Sequence, residues 1–120
     1  LRAFARPLAE RPSSLPRMLN ALDWYLDEPK EIVIVLPDYE TEVSRFVRRL
    51  GEMFLPNRTL VVAGHGDHAK RIAALVPLAA DKAIVDDVTT AYVCENRVCK
   101  KPTSDPEEFA RQLAPITPYP

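Results

Sequence analysis

The sequence is short of glycine: it has three in 120 residues, against twelve prolines, where average usage is roughly 7% glycine and 5% proline. The prolines follow no fixed interval, so they punctuate elements rather than build a repeat or a low-complexity tract. Cysteine is scarcer still. Two cysteines are too few for the framework of a small secreted domain, which points to a reducing, cytoplasmic setting. Neither sign of charge is in excess: 16 Lys and Arg meet 17 Asp and Glu, a net charge of -1. That balance leaves no basic footprint for nucleic acid and no acidic tail. Long apolar runs are missing as well. The longest is Ile32–Leu36, far below the roughly 20 residues of a membrane span, so neither nucleic acid nor a membrane is an expected partner. Residues 1–7 contain no apolar core of a signal peptide, and a start on Leu1 is expected of a segment of a longer polypeptide.

What is present is a mixed pattern of helix and strand periods in a chain long enough for one domain. Residues 1–12 read as an irregular lead-in. Ser13 or Ser14 can cap a helix with Pro16 in its first turn, and Leu15, Met18, Leu19, Leu22, Tyr25 and Leu26 follow at helical spacing until Pro29. Residues 31–36 are β-branched and apolar on both faces, as in a central strand covered on two sides. From Glu40 to Phe54 the period becomes helical, with Val43, Phe46, Val47, Leu50, Met53 and Phe54 on one face. The charged set around Arg45, Arg48, Arg49 and Glu52 is a solvated face with helical ion pairs. A second strand over 59–63 completes a strand–helix–strand order, which argues for a right-handed βαβ unit and a parallel pair.

A third helix is expected over 67–76 and a short strand at Ala83–Val85. Residues 91–94 and 98–100 flank Glu95-Asn96-Arg97 as an antiparallel hairpin. Asp105 caps a last helix, with Pro106 in its first position and Glu108 completing a capping-box variant. Phe109 and Leu113 dock it. The expected architecture is therefore α/β: a small, mainly parallel sheet flanked by helices, with a C-terminal β-hairpin and helix.

Three stretches carry a family resemblance. They are Ala91–Cys99 followed by Pro102–Glu108, Leu19–Leu26 followed by Pro29–Val35, and Phe54–Asn57. Together they resemble the C-terminal end of the YyaL-like family, also described as thioredoxin-domain-containing or spermatogenesis-associated-protein-like. The resemblance implies a three-part parent: a thioredoxin-like module, a helical barrel and a C-terminal α/β segment. On that reading residues 1–30 are the lead-in and last barrel helix, residues 31–120 are the α/β domain, and the partner is the remainder of the parent chain. The family's thioredoxin-type C-x-x-C is absent, because four residues separate Cys94 from Cys99.

Two local patterns could carry chemistry. If Asn96-Arg97 is a two-residue turn, Glu95 faces Val98 and Cys94 faces Cys99 as a non-hydrogen-bonded pair about 4.5 Å apart at Cα. Such a pair can close a reducible cross-strand disulfide, or pack as two small apolar side chains. Asn-Arg is not the favoured Asn-Gly turn. The second pattern is Gly64-His65-Gly66-Asp67-His68-Ala69, which matches the dinucleotide fingerprint with Ala69 in the third glycine position. Asp86 and Asp87 follow at about the 20 residues expected of a ribose-binding acid. Against it, Asp67 sets a negative charge near the phosphates, and the motif follows the second strand rather than the first.

His65 and His68, with Asp67 and the cysteines, supply metal-ligand types, yet H-x-x-H and C-x₄-C make no recognised zinc pattern, and no metal is assigned. No G-x-S-x-G elbow is present. Asp86-Asp87 and Glu107-Glu108 are sequence neighbours that point apart, so no carboxylate pair is placed for acid–base work. The expectation is a non-catalytic accessory domain without cofactor, contacting its parent through Leu15, Met18, Leu22 and Trp24. The alternative is a ligand-binding or redox module at Gly64 and Gly66 (with Ala69 and Asp86) or at Cys94 and Cys99.

Overall fold

A computed structural model of the chain describes residues 1–37 and 43–114, with the backbone alone at Val43 and Ser44. The elements run α1 (Ala5–Glu10), α2 (Pro16–Leu26), β1 (Lys30–Leu36), α3 (Val43–Gly51), β2 (Arg58–Gly64), α4 (Gly66–Leu75), β3 (Thr90–Glu95), β4 (Val98–Cys99) and α5 (Pro106–Leu113), with 3-10 turns at Arg2–Phe4, Pro12–Ser14 and Pro77–Ala79. The strands form one sheet in the order β2-β1-β3-β4.

Strand β1 is the centre of the molecule. Its unbroken β-branched run lets both faces be covered, and Ile32 to Leu36 are at most 2% exposed. On one face Ile32, Ile34 and Leu36 join Ala91 and Val93 of β3, Phe46 and Leu50 of α3, and Phe109 and Leu113 of α5. Phe46 and Phe109 meet edge to face at 5.3 Å, the arrangement that places a ring's positive edge on its neighbour's negative face. On the other face Val33 and Val35 meet Ala79, with Ile72, Leu78, Ile84 and Tyr92 packed around them.

The β1–α3–β2 unit is parallel, with Lys30 to Leu36 paired to Arg58 to Gly64 in register. The sheet as a whole is mixed rather than mainly parallel, because β3 returns antiparallel to β1 and β4 antiparallel to β3. No helical crossover lies between the Pro77 turn and β3 that could bring the chain back in the parallel sense. The short strand expected at Ala83–Val85 is reduced to one bridge, Val85 to Val88, closing a turn whose Asp86 and Asp87 both have positive φ (52° and 54°). Aspartate tolerates that region better than most residues.

Other expectations shift locally. Residues 1–12 are not irregular: they hold α1, with Arg6 paired to Glu10 one turn on. The N-cap of α2 is Leu15, with no side-chain cap, since the Ser14 hydroxyl donates to the Arg11 carbonyl instead. Helix α3 stops at Gly51, so Phe54 leaves the helical phase and is 91% exposed, and Val47 is also exposed. The start expected for that helix at Glu40 lies outside the described residues. Asp105 does cap α5, its carboxylate accepting from the Glu107 N–H, but the capping box is not closed by Glu108. The Asp105 N–H donates to the Thr103 hydroxyl, and Glu108 turns to Arg111. Thr103 is itself bridged to Ala91 of β3 by two backbone hydrogen bonds, which fastens the start of α5 to the sheet.

No residue before Lys30 is buried. The molecule is long for its size, 54 × 30 × 24 Å with a radius of gyration of 16.9 Å, where a compact domain of this length would have roughly 14 Å. The N-terminal helices are held to the body by Asn57, whose amide donates to Asp23 and Asp27 at 2.8 and 2.9 Å.

Two substitutions test this layering by urea denaturation. Phe109→Ala should cost about 3–5 kcal/mol, as for a fully buried aromatic, and Asp105→Ala about 1 kcal/mol through loss of the cap.

Candidate functional site

Asn96 and Arg97 have positive φ (51° and 66°) and form the two-residue turn between β3 and β4, a conformation that suits the twist of a tight hairpin. Glycine is not needed here, because the turn is braced from outside: the Arg97 N–H donates to the Glu31 carboxylate at 3.1 Å. The turn sets the register, with Glu95 opposite Val98 and Cys94 opposite Cys99. The cysteines are joined in a disulfide across the strands, Cα to Cα 3.9 Å, closer than the spacing expected from the ladder alone.

The two sulfurs sit in different surroundings. Cys94 is fully buried beside β1, opposite Glu31, while Cys99 lies on the outer strand and is exposed. Beside Cys99 is an open depression of about 500 Å³ lined by Glu31, Pro77, Leu78, Lys82, Arg97 and Cys99. Lys82 also stands over the Tyr92 ring at 5.7 Å, and the Tyr92 hydroxyl donates to the Ala83 carbonyl. Sequence reasoning found the cysteines but missed Glu31, Lys82 and Arg97 as their neighbours. Glu31 is brought there by the antiparallel pairing of β3 with β1, which the hairpin register alone does not reveal. Lys82 had no signal in the sequence.

On the opposite face of the hairpin, Glu95 accepts from Lys30 at 2.5 Å and pairs with Lys100 at 3.3 Å. The hydrogen bond from Lys30 holds the Glu95 carboxyl below its ordinary range, against the opposing effect of burial, and Lys100 adds to the lowering. Lys100 also donates to the Gln112 carbonyl, and the Gln112 amide donates to the Lys101 carbonyl. The hairpin is thus tied to β1 and α5 on one side and open at Cys99 on the other.

The glycine turn lies at the other end of the sheet. Gly66 takes positive φ (63°) at the start of α4, as the turn requires. The Gly64 N–H is already used: it donates to Nδ1 of His68 at 2.9 Å, and a Cβ at Gly64 would meet that ring at 3.2 Å. The imidazole therefore packs on the first glycine, which the fingerprint uses for its tight turn, while the space beside the second, Gly66, is open. The turn follows an edge strand, and among the described residues no parallel strand comes after α4. The residue before Asp86, Val85, donates its N–H to the Thr90 hydroxyl, and Thr90 pairs with Val35, which pairs with Ala63. Asp86 thus follows a residue tied to β3, with β1 lying between β3 and the β2 strand that leads into the turn. Ala69 is half-buried on α4. His65 is exposed, and among the described residues no three His, Cys, Asp or Glu side chains converge. No helix among them is long and apolar enough to cross a membrane.

Among curated proteins the chain is similar to spermatogenesis-associated protein 20 of Homo sapiens, 31% identical over 115 residues. It is 28% identical over 113 residues to the Rattus norvegicus protein of that name and 27% to that of Mus musculus. The matches cover 94–96% of this chain but 14% of each relative. No family model matches the chain, and no solved structure does.

Because its folded-state pKa is depressed, Glu95 contributes stability that is present above the unfolded carboxylate range (about 4.3) and lost as pH falls through the folded value. Glu95→Gln should lower stability at neutral pH and flatten its fall between roughly pH 5 and pH 3, as measured by urea midpoints across that range.

Proposed function

Because this chain belongs to the spermatogenesis-associated protein 20 family and spans one segment of its relatives, we propose that it is a non-catalytic accessory domain that packs against the remainder of a longer polypeptide. The observation that carries this reading is the N-terminal helical arm. Its apolar side chains are spaced for burial, yet none is buried. Leu1, Leu8, Leu19 and Leu22, with Ala5 and Ala9, line an apolar groove of about 450 Å³ between α1 and α2. Phe4, Trp24, Tyr25 and Leu26 are also exposed, Tyr25 at 72%. Contiguous apolar surface of this kind marks a contact site. The relatives are long enough to supply the partner, since the aligned segment is 14% of their length. The family resemblance read from the sequence makes that partner the helical barrel and thioredoxin-like module of the parent.

Hydrogen exchange tests the assignment. Backbone amides of residues 5–26 should exchange at least about tenfold more slowly in the full-length protein than in this chain alone; equal rates would refute it. In the isolated chain the same face should self-associate as concentration rises. Light scattering should show that association weakened by Leu19→Glu with Leu22→Glu.

A second reading, a redox module at the hairpin, draws support from one observation: Cys94 and Cys99 are disulfide-bonded, and Cys99 is an exposed residue that lines a depression. The nucleotide alternative has no comparable support, since its first glycine N–H is bound to His68.

A further inference from the structure

Resting on the redox reading, we propose that the depression beside Cys99 is a seat for a small anionic thiol, and that thiol–disulfide exchange there proceeds by attack on Cys99. The direction of attack follows from access. Exchange needs a thiolate to reach a sulfur in line with the S–S bond. Cys94 is fully buried against β1, whereas Cys99 is exposed and lines the depression. The incoming thiolate therefore bonds to Cys99 Sγ, and the electron pair of the old S–S bond leaves on Cys94 Sγ, which takes up a proton. A second thiol then attacks the mixed disulfide, releasing Cys99 as a thiol. Two thiols are oxidised to one disulfide while the protein disulfide is reduced to two cysteines.

The lining selects the kind of thiol. A volume of about 500 Å³ is in the range of small-molecule sites. Lys82 and Arg97 bring two positive charges to its rim. Glu31 keeps its negative charge, but its carboxylate is turned to the Arg97 N–H, and the two cations outnumber it. Pro77 and Leu78 add an apolar wall for a short aliphatic stem. A carboxylate-bearing thiol has both its charge and its stem matched. A cationic thiol meets two like charges.

The experiment compares reduced glutathione with cysteamine on the oxidised protein, following disulfide opening and the trapped mixed disulfide by peptide mass mapping. A protein dithiol reductant serves as a third arm. After correction for thiol pKa, glutathione should react about tenfold faster than cysteamine at low salt, and the adduct should sit on Cys99. Lys82→Glu with Arg97→Glu should remove or reverse that preference. A Cys94→Ala variant, which leaves a single exposed thiol, should form a stable glutathione adduct after air oxidation. Opening without charge preference, or an adduct on Cys94, would overturn the seat while leaving the redox reading in place, as would opening by the dithiol protein alone. A disulfide that resists all three reagents in the folded protein would overturn both.

Discussion

The structure depends on β1 being dry on both faces. A strand with water on one side can present polar residues there, but Ile32 to Leu36 offer only apolar side chains and so require a layer above and a layer below. Every helix from α3 onward can be placed by which face of β1 it covers. Helices α3 and α5 close one face around Phe46 and Phe109, and α4 with the Pro77 turn closes the other. The sheet needs only enough neighbours to shield β1 from solvent at its edges, which β2 and β3 provide in register along its length.

That constraint explains what could be read in advance. The continuous β-branched apolar run of 31–36, the helical period around Phe46 and Leu50, and the Asp105-Pro106 start all record strong local preferences that agree with the final packing. The hairpin register was legible too, because a two-residue turn leaves one pairing for Glu95 and Cys94. The mixed sheet was not legible. Whether β3 runs with or against β1 is decided by what lies between Pro77 and Thr90, and there the chain turns on Asp86 and Asp87, a turn that aspartate tolerates but that does not by itself fix the direction of the next strand. The glycine turn carries a contact that its spacing does not announce: nothing in the interval between Gly64 and His68 tells that the imidazole will accept from the Gly64 N–H.

The hairpin joins two kinds of surroundings within a few residues. Lys30, Glu95, Lys100 and Gln112 form a charged and hydrogen-bonded strap on the α5 side. The disulfide and its depression face the α4 side. The attraction within a partly buried pair such as Lys30 with Glu95 is less screened than in an exposed pair, and losing one partner leaves the other charge poorly solvated. It gives the outer strands a fixed position even though β4 is only two residues long.

The arm formed by the first 26 residues has a consequence for how the molecule melts. Heat capacity and enthalpy of unfolding scale with the surface a chain hides, not with the number of residues it contains. A segment that fully buries no side chain adds mass and helical backbone but less calorimetric weight per residue than the body, so in a scanning calorimeter the chain will behave as a smaller protein than its 120 residues suggest.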